Sequence, residues 1–188
     1  FEVEFNDIDL HAGQIVVRPT HLSICHADQR YYQGVRPAEV LKEKLPMALI
    51  HEGLGEVLYD PTGTYQCGDT VIMIPNTPCE KDEVIAENYL RSSKFRASGF
   101  DGFMQEHVAL DIDRVVPVDD SIDKVIAAFT ELVSVSVHAI RRFDSIAHKR
   151  RKAVGIWGDG NLGYITAIFF KAMFPNTKLY ILGVDQEK

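Results

Sequence analysis

The sequence is short of cysteine, has no excess of positive charge and has no long apolar run. Cys25, Cys67 and Cys79 are its three cysteines among 188 residues. They are too few and too scattered for a disulfide framework, so a reducing cytoplasm is the expected setting. No stretch reaches the roughly 20 apolar residues that a membrane-spanning helix needs. No secretory signal pattern stands at its start. Lys and Arg number 20 against 27 Asp and Glu, a formal charge of -7. That balance argues against a general nucleic-acid or anionic-membrane binder. An anionic substrate stays open, because a local arginine cluster outweighs a negative total. Internal repeats and low-complexity segments are also missing.

Hydrophobic residues make up 46% of the chain, enough for a real core. Up to about residue 120 the pattern is that of short strands with Gly/Pro turns. Gln14–Arg18 alternates, 55–59 ends at the turn Asp60-Pro61-Thr62-Gly63, and 70–74 follows Gly68-Asp69. Residues 102–110 and 114–118 complete the set. Such a series predicts a compact, barrel-like β domain. Residues 80–93 are polar with weak helical character, 29–36 form a loop, and 144–152 are basic and loop-like. From Ser121 to Phe143 the apolar residues recur at helical spacing, with a break near Glu131. A strand over 153–157, a helix over 162–173 and a strand over 178–182 then make a βαβ unit. The expected domains are 1–125, the connecting helices 126–150, and the start of a nucleotide-binding fold at 151–188. The chain opens on Phe1 inside an extended pattern and stops at Lys188 after the second strand of that unit. Two strands cannot close such a core, so a piece of a longer chain, lacking its C-terminal half, is expected.

Two groups of residues carry chemistry. Cys25, His51-Glu52 and Glu131 offer a soft thiolate, an imidazole and two carboxylates, a donor set that suits one zinc ion with an exchangeable position. Alone, Cys25 would read as a small buried hydrophobe. Glu131, however, interrupts the apolar run Phe129–Leu132–Val133, where an unpaired carboxylate would cost several kcal/mol. Asp28 stands where a carboxylate can orient a ligand histidine. Downstream lies Gly158-Asp159-Gly160-Asn161-Leu162-Gly163, with a strand before it and a helix and strand after it. Gly158 permits the tight turn, Gly160 the approach of a pyrophosphate, and Gly163 close helix–strand packing. Asn161 and Leu162 open the helix, whose N-terminus suits phosphate. Asp185 falls about 20 residues past the last glycine, where a carboxylate binds the ribose of NAD and repels the 2′-phosphate of NADP. Lys188 would serve a phosphate instead. A metal that polarises oxygen beside a bound dinucleotide suggests hydride transfer to or from an alcohol carbon.

The order of motifs resembles a known family. Cys-x-x-Asp at 25–28, His-Glu-x-x-Gly at 51–55, Gly-Asp-x-Val at 68–71, Asp-Gly-Phe at 101–103 and Glu-x-x-Ser-Val-x-Val-His at 131–138 precede the glycine signature. This resembles the zinc-dependent medium-chain dehydrogenase/reductases, polyol branch. His21–Cys25, Ala27–Tyr32, Ile74–Pro78 and Gly155–Tyr164 resemble the bacterial ribulose-5-phosphate reductases in particular. The resemblance implies a GroES-like β-barrel catalytic domain followed by the first half of a Rossmann sheet. It implies Cys25 and His51 as direct zinc ligands, with Glu52 and Glu131 completing or exchanging in the sphere. The implied reaction is reduction of D-ribulose 5-phosphate to D-ribitol 5-phosphate for CDP-ribitol, a precursor of teichoic acid or capsule. A homodimer or homotetramer and an association with a cytidylyltransferase are also implied. The resemblance favours NADPH, whereas Asp185 argues for NADH. Arg30 and Arg36 are the candidates for holding the substrate phosphate.

Three departures from the family pattern stand out. Ala27 replaces a Ser or Thr that often relays a proton, which leaves water at the metal, substrate hydroxyls or a carboxylate such as Glu52. Ile50 replaces the usual Gly before His-Glu. Residues 76–100 hold only Cys79 where a structural zinc lobe needs four cysteines, so one catalytic zinc and no structural zinc are expected. Other readings are a sorbitol- or threonine-type dehydrogenase, a metal-free cofactor-binding protein, and a zinc hydrolase, which gives no reason for the glycine signature.

Overall fold

β-Branched, alternating segments become strands wherever one face can be buried, and the computed structural model, which describes residues 7–184, shows this along most of the chain. In order the elements are β1 (Ile15–Ser23), α1 (His26–Tyr32), α2 (Ala38–Lys44), β2 (Glu52–Tyr59), β3 (Thr70–Met73), β4 (Asn76–Thr77), β5 (Lys94–Phe95), β6 (Val108–Leu110), β7 (Val115–Pro117), α3 (Lys124–Ala127), α4 (Thr130–Ile146), β8 (Ala153–Trp157), α5 (Asn161–Met173) and β9 (Lys178–Leu182). They divide into two compact units, Phe1–Phe129 and Thr130–Lys188. None of the described helices is long and apolar enough to cross a membrane.

The first unit is a five-stranded antiparallel sheet in the order β6-β1-β2-β3-β7, with β4 and β5 forming a separate hairpin. Its core is Ile15, Val17, Val57, Val71, Met73, Phe103, Val108, Leu110 and Val115. Glycine lets β1 and β2 approach closely. A Cβ on Gly55 would stand 2.5 Å from the Arg18 carbonyl oxygen, and one on Gly53 would stand 2.7 Å from that of His21. Pro19, which has no N–H to give, sits at an irregularity of register in β1. The pairing ends with Ser23 opposite Glu52, so the chain just beyond β1 and the chain just before β2 lie side by side.

The segment leading into β2 is clamped from its other side. Gly102, Phe103 and Met104 donate backbone hydrogen bonds to the carbonyls of Ala48, Ile50 and Leu49 at 2.8, 2.6 and 3.0 Å. Asp101 Oδ1 accepts the Ala48 N–H at 2.7 Å. This is why residues 102–107 leave the strand pattern and only Val108–Leu110 joins the sheet, against the expectation of a strand over 102–110. Residues 26–32 are helical rather than looped, because Cys25 and Asp28 cap the turn reciprocally. The polar lobe holds one 3-10 turn at Glu87–Tyr89, and α4 runs on to Ile146, past the expected start of the basic loop.

The second unit is a βαβ arrangement, with β8 and β9 parallel and in register from Ala153↔Lys178 to Trp157↔Leu182. Helices α4 and α5 meet through Thr166 and Ser136, whose hydroxyls are 3.1 Å apart, and through Phe143 and Phe170. Arg151 pairs with Asp144 and stacks over Phe143 and Phe174, fixing the entry into β8.

A Gly102→Ala substitution tests the clamp. Its Cβ would fall 2.3 and 2.4 Å from the Ile50 and Leu49 carbonyl oxygens, where backbone cannot yield cheaply. Equilibrium urea denaturation is expected to show a loss of about 3 kcal/mol; unchanged stability would mean that the clamp is dispensable.

Candidate metal and dinucleotide site

Cys25 is placed by a helix start. Its Sγ accepts the Ala27 N–H at 3.2 Å, and Asp28 Oδ2 accepts the Cys25 N–H at 3.0 Å. The other oxygen of Asp28 accepts the Ile50 N–H at 2.9 Å and lies 3.8 Å from His51 Nδ1. One buried carboxylate, 3% exposed, thus ties the turn that presents Cys25 to the turn that presents His51. Ile50 adopts φ +69°, the left-handed conformation that a β-branched residue enters at a cost of about 1–2 kcal/mol. Here the buried Ile50 side chain offsets the strain.

The ligand atoms of Cys25, His51 and Glu52 lie within 4.8 Å of one another. Cys25 Sγ is 3.6 Å from His51 Nε2, which is 3.9 Å from Glu52 Oε1. Zinc–sulfur and zinc–nitrogen bonds of about 2.3 and 2.0 Å around a tetrahedral ion separate the two ligand atoms by about 3.6 Å. Phe95, from the β4–β5 hairpin, meets the His51 ring edge-on at 5.2 Å between centroids. Glu52 Oε2 and His51 Nδ1 are enclosed and have no hydrogen-bond partner. A buried, unsatisfied carboxylate oxygen is costly, and a cation in the cluster would satisfy it. The donor set and the orphaned atoms therefore fit a divalent metal of the zinc type.

The protonation chemistry agrees. Burial, with Asp28 adding to it, pushes the Cys25 thiol from its ordinary 9.0 up to about 11. Burial also raises the Glu52 carboxyl, against the opposing pull of the Ser23 hydroxyl and the neighbouring His51. Burial thus shifts Cys25 and Glu52 toward their protonated forms, whereas a metal ligand must be the thiolate and the carboxylate.

Of the other expected site residues, Glu131 stands in the first turn of α4, half-buried, in the second unit. Arg30 is exposed and its Nε donates to the Val35 carbonyl at 3.4 Å. Arg36 lies with its guanidinium over the Tyr31 ring, 4.3 Å from the centroid. In the second unit, Gly158 has φ +131°, and a Cβ on Gly163 would lie 2.0 Å from the Gly158 carbonyl oxygen. The turn thus requires glycine at both ends. Gly160 is the N-cap of α5, and no atom lies within 4 Å of where its Cβ would be. That open space before Asn161 and Leu162, at the start of a helix, fits a dinucleotide's phosphates. Asp185 and Lys188 lie outside the described residues. Sequence reading missed Phe95, which carries no local signal. It also missed the role of Asp101-Gly102-Phe103, legible only as a family motif.

The chain is similar to known proteins over most of its length. Residues 11–120 match the alcohol dehydrogenase GroES-like domain. The chain is 57% identical over 183 residues to a ribulose-5-phosphate reductase of Bacillus spizizenii, covering 97% of this chain and 54% of that protein. It is 56% identical over 188 residues to ribulose-5-phosphate reductase 1 of Staphylococcus aureus, covering all of this chain and 55% of that protein. A crystal structure of S. aureus TarJ in complex with NADPH superposes with a TM-score of 0.79 at 46% identity, covering 99% of this chain and 51% of that one. The chain spans about half the length of the curated relatives it matches.

Asp28→Asn leaves one of the two backbone N–H groups facing an NH₂ group. Zinc affinity, measured by competition with a chelator, is expected to fall about 10–100-fold, with about 1–3 kcal/mol of stability lost. Equal affinity in the variant would show that Asp28 does not position the ligands. In the metal-free protein the raised Cys25 pKa stabilises the fold below pH 9, and that contribution is lost as pH rises toward about 11. Melting curves in chelator from pH 8 to 10.5 should therefore decline, and Cys25→Ala should flatten the decline.

Proposed function

The chain belongs to the alcohol dehydrogenase GroES-like domain family, and on that premise we propose that it is the catalytic part of a zinc-dependent, NADPH-using reductase of D-ribulose 5-phosphate. The observation that carries this reading is the buried Cys25–His51–Glu52 cluster with its orphaned carboxylate oxygen. The high identity to ribulose-5-phosphate reductases supports the substrate, and the NADPH bound to the TarJ neighbour supports the cofactor. The product, D-ribitol 5-phosphate, would feed CDP-ribitol for teichoic acid or capsule in the cytoplasm.

Cys25, His51 and Glu52 would hold the zinc. When bound, the metal would polarise the C2 carbonyl as a Lewis acid and the nicotinamide would supply hydride. Asp28 keeps the two ligand turns in place through the backbone, so the donor set is preorganised. Phe95 restrains the plane of the His51 ring. Position 27 offers no hydroxyl, so water, a substrate hydroxyl or a carboxylate such as Glu52 would carry the proton to the product oxygen. Gly158, Gly160, Asn161, Leu162 and Gly163 would receive the pyrophosphate at the start of α5.

The zinc-loaded, full-length protein is expected to oxidise NADPH when ribulose 5-phosphate is added, and Cys25→Ser to lose about one zinc per chain and at least roughly 10³-fold in kcat/KM. Turnover of sorbitol or threonine without turnover of ribulose 5-phosphate would move the substrate assignment to another polyol or alcohol. Full activity without bound metal would remove the zinc from the reading.

A further inference from the structure

The geometry points to Arg36, stacked on Tyr31, as the group that holds the phosphate of the substrate and selects a phosphorylated ketose over the free sugar. This rests on the reading of the site as a ketose-phosphate reductase. Its physical basis is a half-buried cation that pairs with no acid among the described residues. The guanidinium lies 4.3 Å from the centroid of the Tyr31 ring, and that ring is 5% exposed. Arg36 Nε is enclosed and has no hydrogen-bond partner. None of the ion pairs among the described residues involves Arg36.

Other partly enclosed arginines have structural work. Arg96 donates to the carbonyls of Asp101 and Ala109, Arg114 pairs with Asp113, and Arg151 pairs with Asp144. Enclosing a charge costs free energy that a partner must return. For Arg36 no described residue returns it, so an anion from outside is the natural partner. A guanidinium already fixed by stacking offers parallel N–H groups to two oxygens of a phosphate with little further loss of side-chain freedom.

The location is right for the far end of a short sugar phosphate. Asp28 and Tyr31 are the buried residues of α1 and lie one turn apart on one face. Asp28 bonds the backbone of Cys25 and Ile50, next to the metal ligands. Tyr31 lies three residues, a rise of about 4.5 Å, along α1 from the acid beneath the cluster, and Arg36 stacks on its ring. Arg30 does not complete a clamp with it. That side chain is exposed, and its Nε is given to Val35. The phosphate site is a single stacked arginine rather than a pair.

The test uses the full-length, zinc-loaded enzyme with NADPH and compares ribulose 5-phosphate with ribulose. Arg36→Gln is expected to lower the ratio of kcat/KM for the phosphate ester over the free sugar about 10- to 100-fold, chiefly through KM. Calorimetric titration with ribitol 5-phosphate in the presence of NADP⁺ should show the same loss of affinity. Arg36→Lys, which keeps charge but not the fork, should recover part of the ratio. Zinc content and melting temperature measured alongside separate a folding defect from lost recognition. An unchanged ratio, or equal losses on both sugars, overturns the assignment of Arg36 while leaving the reductase reading standing. A wild-type enzyme inactive on ribulose 5-phosphate overturns both.

Discussion

The candidate site depends on the Asp28 carboxylate. Its two oxygens take one backbone N–H each, from Cys25 and from Ile50, and so join two turns separated by 25 residues of sequence. Only an ionised carboxylate accepts on both sides without offering a donor of its own. Everything nearby is arranged to keep that bond pair. The close glycine contacts between β1 and β2 bring the turns together, and Asp101 with Gly102–Met104 holds the Ile50 strand from the opposite side. The left-handed backbone at Ile50 belongs to this arrangement. Burying an isoleucine side chain is worth about 1.5–3 kcal/mol, against about 1–2 kcal/mol for its backbone strain. A larger residue can therefore stand where glycine would be easier.

The cluster is poised against itself until a cation enters. Desolvation holds the Cys25 thiol and the Glu52 carboxyl toward their protonated forms. A divalent ion reverses both preferences, because its charge lies where the protein supplies none. Binding would release protons, and the site's affinity would rise with pH over the range in which those groups titrate.

Much of this was legible before any coordinates. The strands at 153–157 and 178–182 were found to the residue, because they are short apolar runs bounded by clear turns. Cys25, His51 and Glu52 were legible as chemistry: each is a ligand type, and two are adjacent. The helix at 26–32 was hidden, because its cap uses a thiol in place of the usual hydroxyl or carboxylate. The stretch 102–107 misled because the backbone of 102–104 bonds the carbonyls of 48–50 rather than a sheet strand, while Phe103 still enters the core. Phe95 could not be found at all, since its contact with His51 spans 44 residues and follows no period. Arg30 and Arg36 are both phosphate candidates in sequence; the ring beneath Arg36 and the bond from Arg30 to Val35 separate them.

The pairing of Ser23 with Glu52 at the end of β1 and β2 has a further consequence for how the protein is made. Side chains alternate along a strand, so a slip of one residue would turn Glu52 to the opposite face and carry His51 away from Cys25. A nascent chain that mispairs these strands presents no set of ligands. Metal loading would then act as an inspection of strand register, rewarding with tight binding only those molecules in which the sheet has zipped correctly.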